Sequence, residues 1–127
     1  MGEMFGREAI YEMLKESRRI QSMAEANDWE IADIIAKATE ELGEFATAVQ
    51  VKSGKIKNKI NEHEYAPIDE AADVTICILD AVARLYPEKP ASEIYCLFLY
   101  WMSRKCEKWV NKVEKEYKES LNGTEES

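Results

Sequence analysis

The sequence is poor in chain breakers. Its 127 residues include only five glycines and three prolines, at Pro67, Pro87 and Pro90, so long stretches run without any residue that would end a helix. Alternating apolar segments of strand length between hairpin turns are also missing, as is any repeat at solenoid spacing. No apolar run approaches the ~20 residues of a membrane span, and the start MGEMFGREAIYEM carries acids where a signal peptide would be basic and then apolar. A cytoplasmic protein is expected. Cysteine is scarce and unpatterned: Cys77, Cys96 and Cys106 lack CxxC spacing and sit in apolar or helical stretches, as buried reduced thiols do. Positive charge is also short. Seventeen Lys and Arg against twenty-five Asp and Glu give a net charge of −8, which argues against an electrostatic grip on a nucleic-acid polymer.

What remains is a composition 46% hydrophobic and 33% charged, that of one soluble globular domain. Periodicity predicts helices from about Arg7 to Ala26, from Trp29 to Lys52 with Asp28 as N-cap, from Pro67 to the residues before Pro87, and from Ser92 to about Lys118. Gly54 should close the second helix, and the lysine-rich segment KSGKIKNKINEHEYA reads as a loop. The expected architecture is an all-α bundle of four to five helices, one domain over residues 1–121, with 122–127 as a frayed tail. The third helix and the front of the fourth are apolar around most of their circumference, which predicts a homodimer or homotetramer.

The acids are placed with more pattern than solubility requires. Glu41 and Glu44 lie one turn apart on the second helix, and Glu70 and Asp73 one turn apart on the third, with Asp80 two turns further on. On a helical wheel Ile31, Ile34, Ile35, Ala38, Leu42, Phe45 and Val49 form the apolar stripe of the second helix, with Glu41 at its border and Glu44 just beyond. Glu70 and Asp73 interrupt a surface made of Ile68, Val74, Ile76, Ile78, Leu79 and Val82. Ordinary solvated helix formers are one account of these acids. Carboxylates beside apolar surface otherwise need a positive partner. If the two helices pack antiparallel, two acids from each converge into the hard oxygen set that Mg²⁺ prefers, for one ion or two.

The pattern Glu40-Glu41-x-x-Glu44, followed after 25 residues by Glu70-x-x-Asp73, resembles the EExxE…ExxD signature of the MazG-like, all-α nucleoside triphosphate pyrophosphohydrolases. KATEELGEFATAV and DEAADVTICILDA resemble the two metal-bearing helices, and the similarity spans roughly Ile31 to Asn111. The resemblance implies a helical bundle of the MazG-like type, a dimer or tetramer, that binds Mg²⁺, with Mn²⁺ as a substitute, through Glu41, Glu44, Glu70 and Asp73. It implies attack of water on the α-phosphorus of a nucleoside triphosphate, giving the monophosphate and pyrophosphate, with Glu40 or Glu41 activating the water. Lys37, the loop lysines Lys52, Lys55, Lys57 and Lys59, and Lys108 with Lys112 are candidates to meet phosphate charge. Lys108-x-x-Asn111 resembles a K-x-x-N stretch of the family and favours Lys108 and Asn111. Trp29, Tyr95, Trp101 and Trp109 are available to stack on a base, although an aromatic at helical spacing is more often core. His63 has no ExxH partner, which disfavours a di-iron bundle. Base-selective dUTP or dCTP hydrolases and phosphoribosyl-ATP pyrophosphohydrolases remain alternatives, as does a helical interaction module without catalysis.

Overall fold

The computed structural model describes residues 8–23, 25, 28–57 and 63–126, and it divides into two compact units with the boundary between Ala91 and Ser92. Arg7, Ala26 and Lys59, which figure in the sequence reading, lie outside the described residues. Four helices and no strand occur among the described residues: α1 (Ala9–Gln21), α2 (Ile31–Lys52), α3 (Ala66–Leu85) and α4 (Ala91–Glu126). None is long and apolar enough to cross a membrane.

In the first unit α3 is the common neighbour of α1 and α2. Ala48, Val51 and Lys52 at the end of α2 line one cavity with Ala66 and Pro67 at the start of α3, while Ile31 lines another with Arg84. The two helices therefore run antiparallel. Ala9, Ile10 and Met13 face Ala72, Ile76 and Leu79, and Ser17 reaches Asp80 further along both helices, so α1 runs parallel to α3. The buried set is small: Leu14, Ile34, Ala48, Ala66, Leu79, Ala81 and Ala83. Alanines at these contacts let the helix backbones approach closely, and each buries little area.

The helix ends depart from the sequence reading in instructive ways. α1 stops at Gln21, well short of the expected Ala26, because the Ser22 backbone N–H and hydroxyl both donate to the Arg19 carbonyl, the hydroxyl at 2.5 Å. A short hydroxyl side chain competes for the carbonyls that the next turn would need. Asp28 is not the N-cap of α2: that position belongs to Glu30, in extended backbone and without a side-chain cap. Gly54 does close α2. Its φ of +78° and the bonds from Gly54 N–H to the Val51 carbonyl and Lys55 N–H to the Gln50 carbonyl form a Schellman turn. Pro67 sits in the first turn of α3, where its missing N–H leaves no bond unmade.

The second unit is α4, which continues through Asn122 and Gly123 to Glu126, across the residues read from sequence as a tail.

A polar network fastens α1 to α3. Ser17, 1% exposed, donates to Asp80 at 2.5 Å, Gln21 donates to Ser17 at 3.0 Å, and Arg84 Nε donates to the same Asp80 oxygen at 3.1 Å. The Asp80 and Arg84 side chains are 19% and 7% exposed. Arg18 Nη1 and Nη2 donate to the carbonyls of Pro87, Ala83 and Tyr86, satisfying the acceptors that α3 leaves open at its C-terminus. Removing Asp80 would strand a buried guanidinium, so Asp80→Ala is expected to lower stability by about 3–5 kcal/mol. Ser17→Ala, which removes one neutral donor, should lower it by about 1–2 kcal/mol. Urea denaturation midpoints of the two variants check both values and their order.

Candidate metal centre

The line of α2 that meets α3 is Ile31, Ile34, Ala38, Glu41, Phe45 and Ala48, each buried or half-buried and spaced three and four residues apart. Glu41 is thus in the middle of the packing seam, at 8% exposure, and not at the border of an apolar stripe. Leu42, which the wheel assigned to that stripe, is 54% exposed, and Ile35 and Val49 stand out with it one heptad either side. α2 meets α3 along Ile31, Ile34, Ala38, Phe45 and Ala48, a seam rotated from the wheel's stripe so that Ile35, Leu42 and Val49 face outward. This rotation carries Glu41 inward.

The consequence is a cluster. Glu41, Glu44 and Glu70 each present one carboxylate oxygen, and the three oxygens lie within 4.8 Å of one another. Glu41 Oε1 accepts from Lys37 Nζ at 3.1 Å, whereas Glu41 Oε2 and Glu70 Oε2 are both buried without a hydrogen-bond partner. Two orphaned acceptors on neighbouring helices lack the donor or cation that buried carboxylate oxygens require. Such a donor set, oxygen only and anionic, fits a hard divalent cation.

Electrostatics follow from this crowding. The Glu44 carboxyl is held above the usual carboxylate range, first by the charge of Glu41, then by desolvation and by a hydrogen bond it gives to Glu41. Glu70 is also raised, chiefly by desolvation and then by the charges of Glu44 and Asp73. Lys37 holds its proton more tightly than a free lysine because it is hydrogen-bonded to Glu41, with the charge of Glu40 adding to the effect. The Cys77 thiol is pushed up by burial and then by Glu41.

Of the residues singled out from sequence, the structure brings together Lys37, Glu41, Glu44 and Glu70. Asp73 is close enough for its charge to act on Glu70 but contributes no oxygen to the cluster. Glu40 points outward, its side chain 61% exposed and 3.7 Å from Lys37. Lys108 and Asn111 belong to the second unit, on a face of α4 shared with Trp101, Arg104 and Lys105. His63 is exposed, as expected, and bonds to Asp69 at 3.1 Å. Trp29 carries the Arg84 guanidinium 5.1 Å from its ring centroid. Sequence reasoning missed the Ser17–Asp80–Arg84 network, although an acid and an arginine four residues apart in the otherwise apolar C-terminal half of α3 were a visible signal.

A pH dependence follows. Folding raises Glu44 and Glu70 above their unfolded values, so the native state binds more protons than the unfolded one. The stability they allow is full below the ordinary carboxylate range and is lost as pH rises through their raised folded values. In EDTA, the thermal midpoint of Glu70→Gln at neutral pH is expected to lie above that of the unsubstituted chain, with a weaker fall between acid and neutral pH. A midpoint below the parent's would show instead that the ionised carboxylate is held by a favourable contact.

Comparison of the chain with protein-family models, curated protein sequences and solved structures returned no match.

Proposed function

We propose that the chain is a magnesium-dependent nucleoside triphosphate pyrophosphohydrolase of the MazG-like kind, releasing pyrophosphate and a nucleoside monophosphate. The observation that carries this reading is the meeting of Glu41, Glu44 and Glu70 from two antiparallel helices with two orphaned buried oxygens, at the positions of the EExxE…ExxD pattern. The nucleoside part of the substrate follows from the sequence resemblance alone. Glu41, Glu44 and Glu70 would hold Mg²⁺, and Asp73, one turn along α3, would complete the set. Bound Mg²⁺ would supply neutralisation of the phosphate charge and polarisation of the α-phosphate.

The chain's own residues divide the remaining tasks. Lys37, protonated and half exposed between Glu41 at 3.1 Å and Glu40 at 3.7 Å, would be placed to bind a phosphate oxygen at the edge of the cluster. Glu40, the one glutamate of the EExxE pattern outside the cluster, is available to take the proton from the attacking water. Glu41 then serves as a ligand and not as the base. Lys108 and Asn111 keep their assignment to phosphate from the resemblance alone.

Exposed Ile35, Leu42, Ile68, Ile76 and Ile78 support the homodimer or homotetramer that belongs to this reading, and a cytoplasmic setting is part of the same proposal.

The decisive measurement is pyrophosphate release from a panel of ribo- and deoxynucleoside triphosphates with Mg²⁺. Release is expected from at least one, falling by 10³-fold or more in Glu41→Gln and Asp73→Asn with helical content intact; Glu40→Gln should lower kcat by about 10²–10⁴-fold with Mg²⁺ binding retained. Mg²⁺ at about 100 times its Kd should stabilise the parent chain by about 2.7 kcal/mol and leave Glu41→Gln unmoved. Absence of turnover with every nucleotide, together with Mg²⁺ affinity unchanged by these substitutions, would leave a helical interaction module as the better reading.

A further inference from the structure

Helix α4 carries a pattern that the acidic centre does not use. At about 100° per residue, Leu99, Met102, Cys106, Trp109, Val113 and Tyr117 fall along one line of the helix, a stripe that no charged residue interrupts. All six are exposed, with Trp109 and Tyr117 at 64% and 65%. A helix draws most of its stability from the packing of such a face, and tryptophan, valine and tyrosine are modest helix formers without it. The stripe calls for a cover.

The charges along its edges point to what that cover is. One edge runs Lys105, Lys112, Glu116 and Glu119 and the other Glu107, Glu114 and Lys118, so each changes sign part-way along the helix. Two helices that pair antiparallel bring like edges together in reverse order, and an edge that is positive first and negative later is then complementary to itself. A parallel pair would match charges too, but it would bring the two Ala91 ends together. Residues 1–91 carry eighteen Asp and Glu against eleven Lys and Arg, a net charge of −7, and antiparallel pairing keeps two such charges apart while it opposes the helix dipoles. An anionic lipid surface fits less well, because it selects a polar face rich in Lys and Arg.

We propose that this stripe docks a second copy of the chain, the two α4 helices pairing antiparallel about a two-fold axis near Lys112. In one register Met102 faces Leu121 of the second copy, Cys106 faces Tyr117 of the second copy and Val110 faces Val113 of the second copy. The same register pairs Lys105 with Glu119 of the second copy on one edge and Glu107 with Lys118 of the second copy on the other, and symmetry makes each pair twice. Lys112 meets its own counterpart at the axis, with a Glu116 about one turn away. Trp109 and Tyr117 expose about 250 Å² between them; with Met102, Val110, Val113, Leu121 and the stems of the flanking Lys and Glu, the overlap comes near the ~800 Å² per partner of a specific interface.

The test is zero-length carbodiimide cross-linking of the full chain in EDTA, with ¹⁴N- and ¹⁵N-labelled copies mixed and the products read by mass spectrometry, alongside sedimentation velocity over a concentration series. Lys105 and Glu119 are fourteen residues apart on one helix, about 21 Å at 1.5 Å per residue, so only a second copy brings them within bonding reach. Mixed-isotope Lys105–Glu119 and Glu107–Lys118 cross-links, in an assembly whose mass rises with concentration, are the expected result. Val113→Glu, a better helix former placed in the stripe, should weaken association by about tenfold or more with helical content unchanged. Lys105→Glu and Glu119→Lys should each weaken it several-fold, and the two together should restore it. Mixed-isotope Lys105–Glu107 cross-links, which mark parallel pairing, or cross-links of Lys105 to the first unit of its own copy in place of Glu119 would overturn the proposal. So would a mass that Val113→Glu leaves unchanged, or a chain that stays monomeric at every concentration, whether or not it co-sediments with phosphatidylglycerol vesicles. No readout involves metal or turnover, and the stripe shares no residue with the exposed apolar positions of α2 and α3, so the outcome is independent of the pyrophosphohydrolase reading.

Discussion

Glu41 occupies a seam position between α2 and α3 that a small apolar residue would fill at less cost, and its neighbours make the cost larger. Glu44 lies one turn along the same helix and Glu70 approaches from the other, so two anionic helix faces are pressed together where a helical hairpin ordinarily buries hydrocarbon. Lys37 answers only one of the four oxygens that Glu41 and Glu70 bring to the seam. The remainder of the first unit has to hold this arrangement in place, with alanine contacts that bring the helices close and a turn at Gly54 that ends α2 in a fixed register.

The opposite end of α3 has the reverse character. There most polar groups find partners: Ser17, Gln21 and Arg84 converge on or behind Asp80, and Arg18 absorbs the open carbonyls of the helix end, with Arg18 Nε and Arg84 Nη2 left over. Helix α3 is thus fastened at its C-terminal half and electrostatically loaded at its N-terminal half. Such an uneven distribution of favourable and unfavourable interactions is common where a site is arranged for a ligand and the scaffold supplies the compensation elsewhere.

Much of this was legible in the sequence, and the limits have physical causes. The scarcity of Gly and Pro with apolar spacing gave the helices, and Gly54 and Pro67 marked two of their ends, because those residues act through local backbone geometry. The acidic pairs were legible too, since i and i+3 positions always share a face. The burial of Glu41 was not, for a helical wheel weighs hydrophobicity and does not show which line of a helix its neighbour covers. The early stop of α1 at Ser22 and the Arg18 cap were equally out of reach, because one depends on a hydroxyl that competes with the next turn and the other on a partner more than sixty residues away.

The span from Ser17 to Asp80 is 63 residues, whereas α2 ends at Lys52 and α3 begins at Ala66, so that Glu41 and Glu70 meet across a separation less than half as long. Closing a long loop costs more entropy than closing a short one. The hairpin of α2 and α3 is therefore the part of the first unit with the lowest contact order, and α1 is the strap added across it. In the cation-free chain the hairpin carries the mutual repulsion of its own acids, so the earliest contacts to form are also among the least favourable. Occupation of the acidic seam by a cation would reverse that order of merit, turning the weakest joint of the folding chain into its nucleus.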